Sequence, residues 1–177
     1  MLELVRDGSF GKTRGAPVRV RFARAPRDWQ AGASAWLAGP AEGGFTREVL
    51  SHSVFQALRM FGPATVADVA LHREVGKAET ALRARLIHAD VEVLIHAAVA
   101  GEMSDDNRFE VVGERGTFAL TGWSRLEYQG ETSERVDNTA QTPDGLAAPL
   151  DGRADHGLAT INEAVSVVGC IEAILQT

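Results

Sequence analysis

VADVALHREVGKAETALRARLIHADVEVLIHAAV, residues 66–99, holds three apolar runs and no helical period. Val66–Arg73, Leu82–His88 and Val91–Val99 are rich in Val, Ile, Leu and Ala, and each is the length of a strand. Gly76-Lys77-Ala78-Glu79 and Ala89-Asp90 supply turns between them. Turns this short predict antiparallel neighbours, because a parallel crossover needs a dozen residues or more. Shorter strands follow at Phe109–Val112, Thr117–Leu120 and Trp123–Tyr128, with Asp105-Asp106-Asn107 opening a turn before them. Upstream, Val18-Arg19-Val20-Arg21-Phe22 alternates apolar and charged side chains, the period of a half-buried strand.

Helices bracket and interrupt this run. Arg47 to Phe61 carries Leu50, Val54, Leu58 and Phe61 at helical spacing, with Thr46 placed to cap and Gly62-Pro63 to stop. A second helix runs on from Gly157. Its stripe of Ile161, Val165, Val168, Ile171 and Leu175 is expected to lie on the sheet. Leu2–Arg6 has the character of a helix end, stopped by Gly8 and Gly11. Residues 26–44, rich in Pro, Gly, Ala and Trp, predict a long loop tied down by Trp29 and Trp36. Residues 129–156 are polar and aperiodic and predict a surface loop. The sum is a single α+β domain over residues 1–177: an open, mainly antiparallel β-sheet, strands in meander order, with helices packed on one face.

The 177 residues carry 45% hydrophobic and 24% charged side chains, ordinary for a globular chain that needs no staples. A net charge of −6 argues against a nucleic-acid partner, since phosphate binding needs clustered positive charge. Arg19, Arg21 and Arg24 alternate along a strand and read as a solvated or interface face. The single cysteine, Cys170, lies in an apolar helical stretch and reads as buried and inert. The N-terminus lacks an apolar signal region and no apolar run reaches the ~20 residues of a membrane span. The expected compartment is the cytoplasm, with no membrane partner.

No glycine-rich strand-to-helix turn of the dinucleotide-binding kind is present, and Gly11-Lys12-Thr13 matches only the tail of a phosphate loop. His52, His72, His88, His96 and His156 have no metal-ligand spacing, so no metal is expected, and the strand histidines read as structural. Glu48 and His52 differ. Four apart on a helix, they share a face beside Gly43-Gly44. Two readings of the pair stand: an exposed contact of small energetic value, or a carboxylate orienting an imidazole that acts as general base.

Gly43-Gly44-Phe45-Thr46-Arg47-Glu48-Val49-Leu50-Ser51-His52 resembles the signature in the second domain of Gfo/Idh/MocA oxidoreductases, the group of glucose–fructose oxidoreductase and inositol dehydrogenase. That signature is a glycine pair, an acidic residue and a histidine four further on, at the start of a helix. Glu3 to Lys12 is similar to the helix end and turn that open that domain, Val18–Phe22 to its first strand, Phe109 to Phe118 to a late strand-turn-strand, and Asn162 to Leu175 to its closing helix. The resemblance implies an NAD- or NADP-dependent enzyme, acting on a sugar, cyclitol or similar polyol, whose cofactor is held by an N-terminal Rossmann domain. That half and its catalytic lysine are missing here; Lys12 and Lys77 do not match the lysine's context, and a partner half is expected upstream. No cofactor is expected to bind this chain alone. By resemblance His52 is the general base and Glu48 its orienting or substrate-binding carboxylate; Arg47 and Trp29 are placed near the pocket. The second domain commonly mediates oligomerisation, so a homo-oligomer through the sheet is expected. The chain departs in having Glu48 where aspartate is commoner, and Phe55 where an acidic residue often follows.

Two rivals remain. One is a non-catalytic ligand-binding or oligomerisation module derived from the same domain. The other is a small hydrolase or isomerase using Glu48 and His52 without cofactor, which needs a third polar group converging on the pair.

Overall fold

In the computed structural model the described residues are 5, 10–99, 101, 104–128, 131–134 and 159–177. Alternation at Val18–Phe22 becomes the strand β1, Thr13–Phe22, in which Ala16, Val18, Val20 and Phe22 are buried while Arg19 is exposed. The remaining strands are β2 Thr65–Arg73, β3 Glu79–Ile87, β4 Glu92–Val99, β5 Asp106–Gly113, β6 Gly116–Thr121, β7 Arg125–Tyr128 and β8 Glu131–Glu134. All eight join one open sheet in the order β2-β3-β4-β1-β5-β6-β7-β8.

The expected meander is therefore split. β1 sits between β4 and β5, parallel to β4 with Val18 opposite Ile95, and antiparallel to β5 with Val18 opposite Phe109. Every other pairing is antiparallel. Alternation identifies a strand and its faces, but it carries no information about which neighbour the strand takes. Two further expectations change. Residues 131–134, inside the expected loop 129–156, pair with β7, Arg125 opposite Glu134; the rest of that loop, and all of the N-terminal helix end except the helical Val5, lie outside the described residues. The stretch assigned to a 76–79 turn gives Glu79 to β3, where it is buried.

The helices lie on the buried face. Residues 28–33 make a 3-10 turn and Ser34–Leu37 one turn of helix, α1, inside the long loop. Thr46–Leu50 is π-helical and runs directly into α2, Ser51–Phe61. α3 spans Ile161–Leu175. Its N-terminus is closed by reciprocal bonds: Glu163 N donates to Thr160 Oγ1 and Thr160 N to Glu163 Oε2. The stripe expected on α3 is half corrected. Ile171 and Leu175 are buried, but Ile161, Val165 and Val168 are exposed, and the buried set is Val167, Cys170, Ile171, Ile174 and Leu175. The helix is apolar on more than one face, so spacing alone admits two stripes. The tertiary partners select between them.

Those partners include two ion pairs. Arg59 Nε and Nη2 donate to the two oxygens of Glu163 at 2.7 and 3.0 Å, and Arg47 Nε and Nη2 to those of Glu172 at 2.7 and 2.9 Å. Bidentate arginine–carboxylate geometry fixes orientation as well as distance. α3 is thereby bolted to the π segment and to α2.

The core runs along the inner face of the sheet from Phe22, Ile95 and Leu86 to Phe118. Phe10 packs against Phe118 with ring centroids 4.8 Å apart, and lies over Gly113, where a Cβ would come within 2.2 Å of its ring. Cys170 is buried and its thiol is pushed up by that burial, as expected for an inert cysteine. His88 is 5% exposed; its Nδ1 meets Gly62 O at 2.8 Å, its ring lies edge-on to Phe61, and burial lowers its pKa. His88 is thus structural. His72, by contrast, is exposed beside Thr80 Oγ1.

The outer face is a charged one. Arg83, His96, Arg19 and Arg108 stand opposite one another across β3, β4, β1 and β5. Arg19 pairs with Asp106, and Arg108 with Glu110 and Glu127.

Candidate functional site

The C-terminal end of β1 and the turns that flank it define one end of the sheet. Phe22 stands opposite Val99 there; Ala23 N donates to Asp105 Oδ1, and Gly122 N to Asn107 O. The loop after β1 folds back over this end. Trp29 and Trp36 do not bury their rings to tie it down, being 73% and 52% exposed, though Trp36 Nε1 donates to Glu42 Oε2 at 3.3 Å within the loop. Leu37 does so instead: it is buried, and its carbonyl accepts from Gly44 N at 2.8 Å, while the Arg27 guanidinium lies 4.0 Å from the Phe22 ring centroid.

The glycine pair has steric reasons. A Cβ on Gly43 would meet Trp36 O at 2.3 Å and Leu37 O at 2.6 Å. Gly44 has φ +97, and a Cβ there would collide with the Glu79 carboxylate. That carboxylate does what Thr46 was expected to do. Glu79 Oε1 accepts from Thr46 N at 2.7 Å, capping the helix from β3, while Thr46 Oγ1 is buried without a partner. The cap comes from 33 residues away, so local spacing gave no sign of it. From this start the first turn widens: Ser51 N donates back to Thr46 O, five residues away. Such π segments occur often at functional sites.

The four expected site residues separate into two groups. Glu48 lines a pocket of about 150 Å³ with Phe22, Gln30, Phe45, Lys77 and Glu79. Its Oε1 accepts from Gln30 Nε2 at 3.0 Å. His52 is exposed one turn later, its ring edge-on to Trp123 with centroids 5.7 Å apart. No hydrogen bond joins Glu48 to His52 among the described residues; each is held by a residue from a different loop at the same end of the sheet. Arg47 is committed elsewhere. Besides Glu172 it donates to Pro40 O at 3.1 Å and Gly43 O at 3.0 Å, so it fastens the glycine loop to α3. Its hydrogen bond to Glu172 raises the arginine and lowers the carboxylate. Trp29, next to Gln30 in the chain, is exposed.

Glu79, Gln30 and Trp123 are the site residues that sequence reasoning missed. Each comes from outside the 43–52 motif, and Trp123, expected to open a strand, lies instead in the turn before β7, Arg125–Tyr128. A cofactor-free hydrolase needs a third group converging on the pair, and Gln30 reaches Glu48 without bonding His52. Among the described residues no group of three or more His, Cys, Asp or Glu is placed to hold a metal. No helix among them is long and apolar enough to cross a membrane.

Residues 1–119 match the family model of the GFO/IDH/MocA C-terminal domain. No curated protein sequence matches the chain. Among solved structures, the aldose-aldose oxidoreductase from Caulobacter crescentus, complexed with glycerol, has a TM-score of 0.74 at 19% identity, over 99% of this chain and 56% of its own. The WlbA dehydrogenase from Bordetella pertussis, in complex with NADH and UDP-GlcNAcA, has 0.72 at 17% identity, over 98% and 56%. An oxidoreductase from Thermotoga maritima has 0.73 at 14% identity, over 98% and 54%. The chain thus spans a little over half the length of each of these proteins. These likenesses establish the shared fold. With the signature at Gly43–His52 lying inside the matched residues, the chain belongs to the GFO/IDH/MocA C-terminal domain family.

Proposed function

We propose that this chain is the substrate-side domain of an NAD(P)-dependent oxidoreductase that acts on a hydroxyl-bearing carbon of a sugar, cyclitol or similar polyol. The observation that carries this is the start of the π segment. A buried carboxylate fixes it, and it presents Glu48 and His52 one turn apart at the pocket end of the sheet. Among the described residues, the helix N-terminus at this end is not free to hold a dinucleotide phosphate. Phosphates favour a free helix N-terminus, and the one at this end already donates to the Glu79 carboxylate. In this reading a separate nucleotide-binding domain holds the NAD(P), which accepts or returns a hydride.

In this reading His52 takes the hydroxyl proton as the carbon is oxidised, a task suited to an imidazole near neutral pH. Glu48, held by Gln30, binds a second hydroxyl. Trp29 flanks the entrance. Arg47 serves from behind, holding the glycine loop in the shape that Glu48 needs. The open face of the sheet, where exposed Leu94 lies among charges of both signs, is proposed to pair two copies of the chain.

Titrating the chain with NADH and NADPH, followed by nicotinamide fluorescence, should show no binding at high micromolar concentration. With a nucleotide-binding half joined, His52→Ala should lower turnover by about 10²–10⁴-fold. Turnover unchanged by that substitution refutes the base role and favours a non-catalytic module.

A further inference from the structure

The β6–β7 turn contains an expensive residue. Gly122 and Trp123 both adopt left-handed backbone, with φ of 53° and 71°. Gly122 N is held by Asn107 O at 3.1 Å and Ser124 N by Thr121 O at 3.3 Å. A turn of this shape wants glycine or asparagine at both positions, and a bulky side chain there is a true outlier. The core does not explain the tryptophan, which is 43% exposed. Its ring is instead set against the imidazole of His52, edge-on at 5.7 Å. Strain of this kind collects at binding sites, where geometry outweighs local preference.

The chain has three tryptophans, and the other two, Trp29 and Trp36, are also exposed on the loop at this end of the sheet. Trp29 adjoins Gln30, which donates to Glu48, and Trp123 lies on the His52 side.

We propose that Trp123 is a specificity-determining residue, a stacking platform beside His52 that favours a rigid closed ring over an open chain. The inference rests on the reading of His52 given above. An indole face is electron-rich and attracts C–H groups. A pyranose or cyclitol offers several on one rigid face, leaving its hydroxyls at the edge for His52 and Glu48. An open-chain polyol must freeze its C–C rotations to offer the same patch, which costs affinity.

The test is saturation-transfer NMR on the full chain, with methyl β-D-glucopyranoside and myo-inositol as ring probes and sorbitol as the open-chain probe. Ring C–H protons should receive saturation and sorbitol should stay near background. Trp123→Gly should cut the transfer about fivefold, the worth of one aromatic contact, and Trp123→Tyr should restore part of it. Glycine accepts the left-handed backbone freely, so loss in that variant is not loss of the fold. No transfer to either ring probe, equal transfer to sorbitol, or full transfer in Trp123→Gly each overturns the proposal. The titration of His52, read from its ring protons, separates this from the base role. Trp123-dependent binding that leaves that titration untouched supports the platform and overturns the base. A titration that the ring probe moves equally in parent and Trp123→Gly overturns the platform alone.

Discussion

Replacing Arg47 with alanine tests whether this side chain holds the protein or the substrate. The substitution removes two charged hydrogen bonds to Glu172, at 2.7 and 2.9 Å, and two donations to the carbonyls of Pro40 and Gly43. A buried charged hydrogen bond contributes about 1.5–3 kcal/mol and an exposed ion pair about 0–1. With side-chain exposures of 21% and 37%, this pair falls between the two cases. Water also recovers part of what the carbonyls lose. The expected destabilisation is about 2 kcal/mol, which lowers Tm by about 4–8 °C in a domain of this size. Urea unfolding followed by tryptophan fluorescence measures it. A cycle with Glu172→Ala should show coupling of about 1 kcal/mol. If Arg47→Ala lies within about 0.5 kcal/mol of the parent and the coupling is zero, the clamp contributes nothing. The guanidinium is then free to serve a substrate, and the division of labour argued above is wrong.

Gly43→Ala should cost about 1–3 kcal/mol by overpacking, because the new methyl meets the Trp36 and Leu37 carbonyls, whereas Gly32→Ala, with nothing within 4 Å, should be near neutral in the same urea assay. Stability should fall in two steps on acidification. Buried His88 is held below its ordinary 6.5, so the unfolded chain binds the extra proton and stability is lost as pH drops below about 6.5. Glu163, lowered from 4.5 to about 2 by Arg59 and Thr160, contributes stability above 4.5 that is lost as pH falls towards 2. Urea midpoints across pH 7 to 2 should lose the upper step in His88→Phe and show a smaller lower one in Glu163→Gln, the remainder coming from Glu172 and Glu127, which are also lowered by arginine partners. Unaltered profiles in both variants contradict this assignment.

Strand positions were legible because alternation is local: the buried Val18, Val20 and Phe22 follow directly from the pattern of β1. Its insertion between β4 and β5 was not, since pairing is a property of distant segments. The α3 stripe failed for a related reason. Val165 and Val168 are as apolar as Val167 and Ile171, and the choice falls to Arg47 and Arg59, whose carboxylate partners lie 125 and 104 residues away. At the site, the family signature located Glu48 and His52, yet three of the groups that position or flank them, Gln30, Glu79 and Trp123, come from outside the 43–52 stretch, from a loop, a strand and a hairpin turn, and are silent in its spacing.

The place of β1 in the sheet also sets an order of events during synthesis. The strand at the middle of the sheet is the first to leave the ribosome. Both its edges then wait for β4 and β5, about eighty to ninety residues later, and such non-local pairings are slow to form. Until then Thr13–Phe22 is a lone ribbon with two unpaired edges, open to pairing with another nascent chain. Its alternating arginines act as gatekeepers during that interval, charged at every second position along Arg19 and Arg21 and poorly matched to a second copy of themselves.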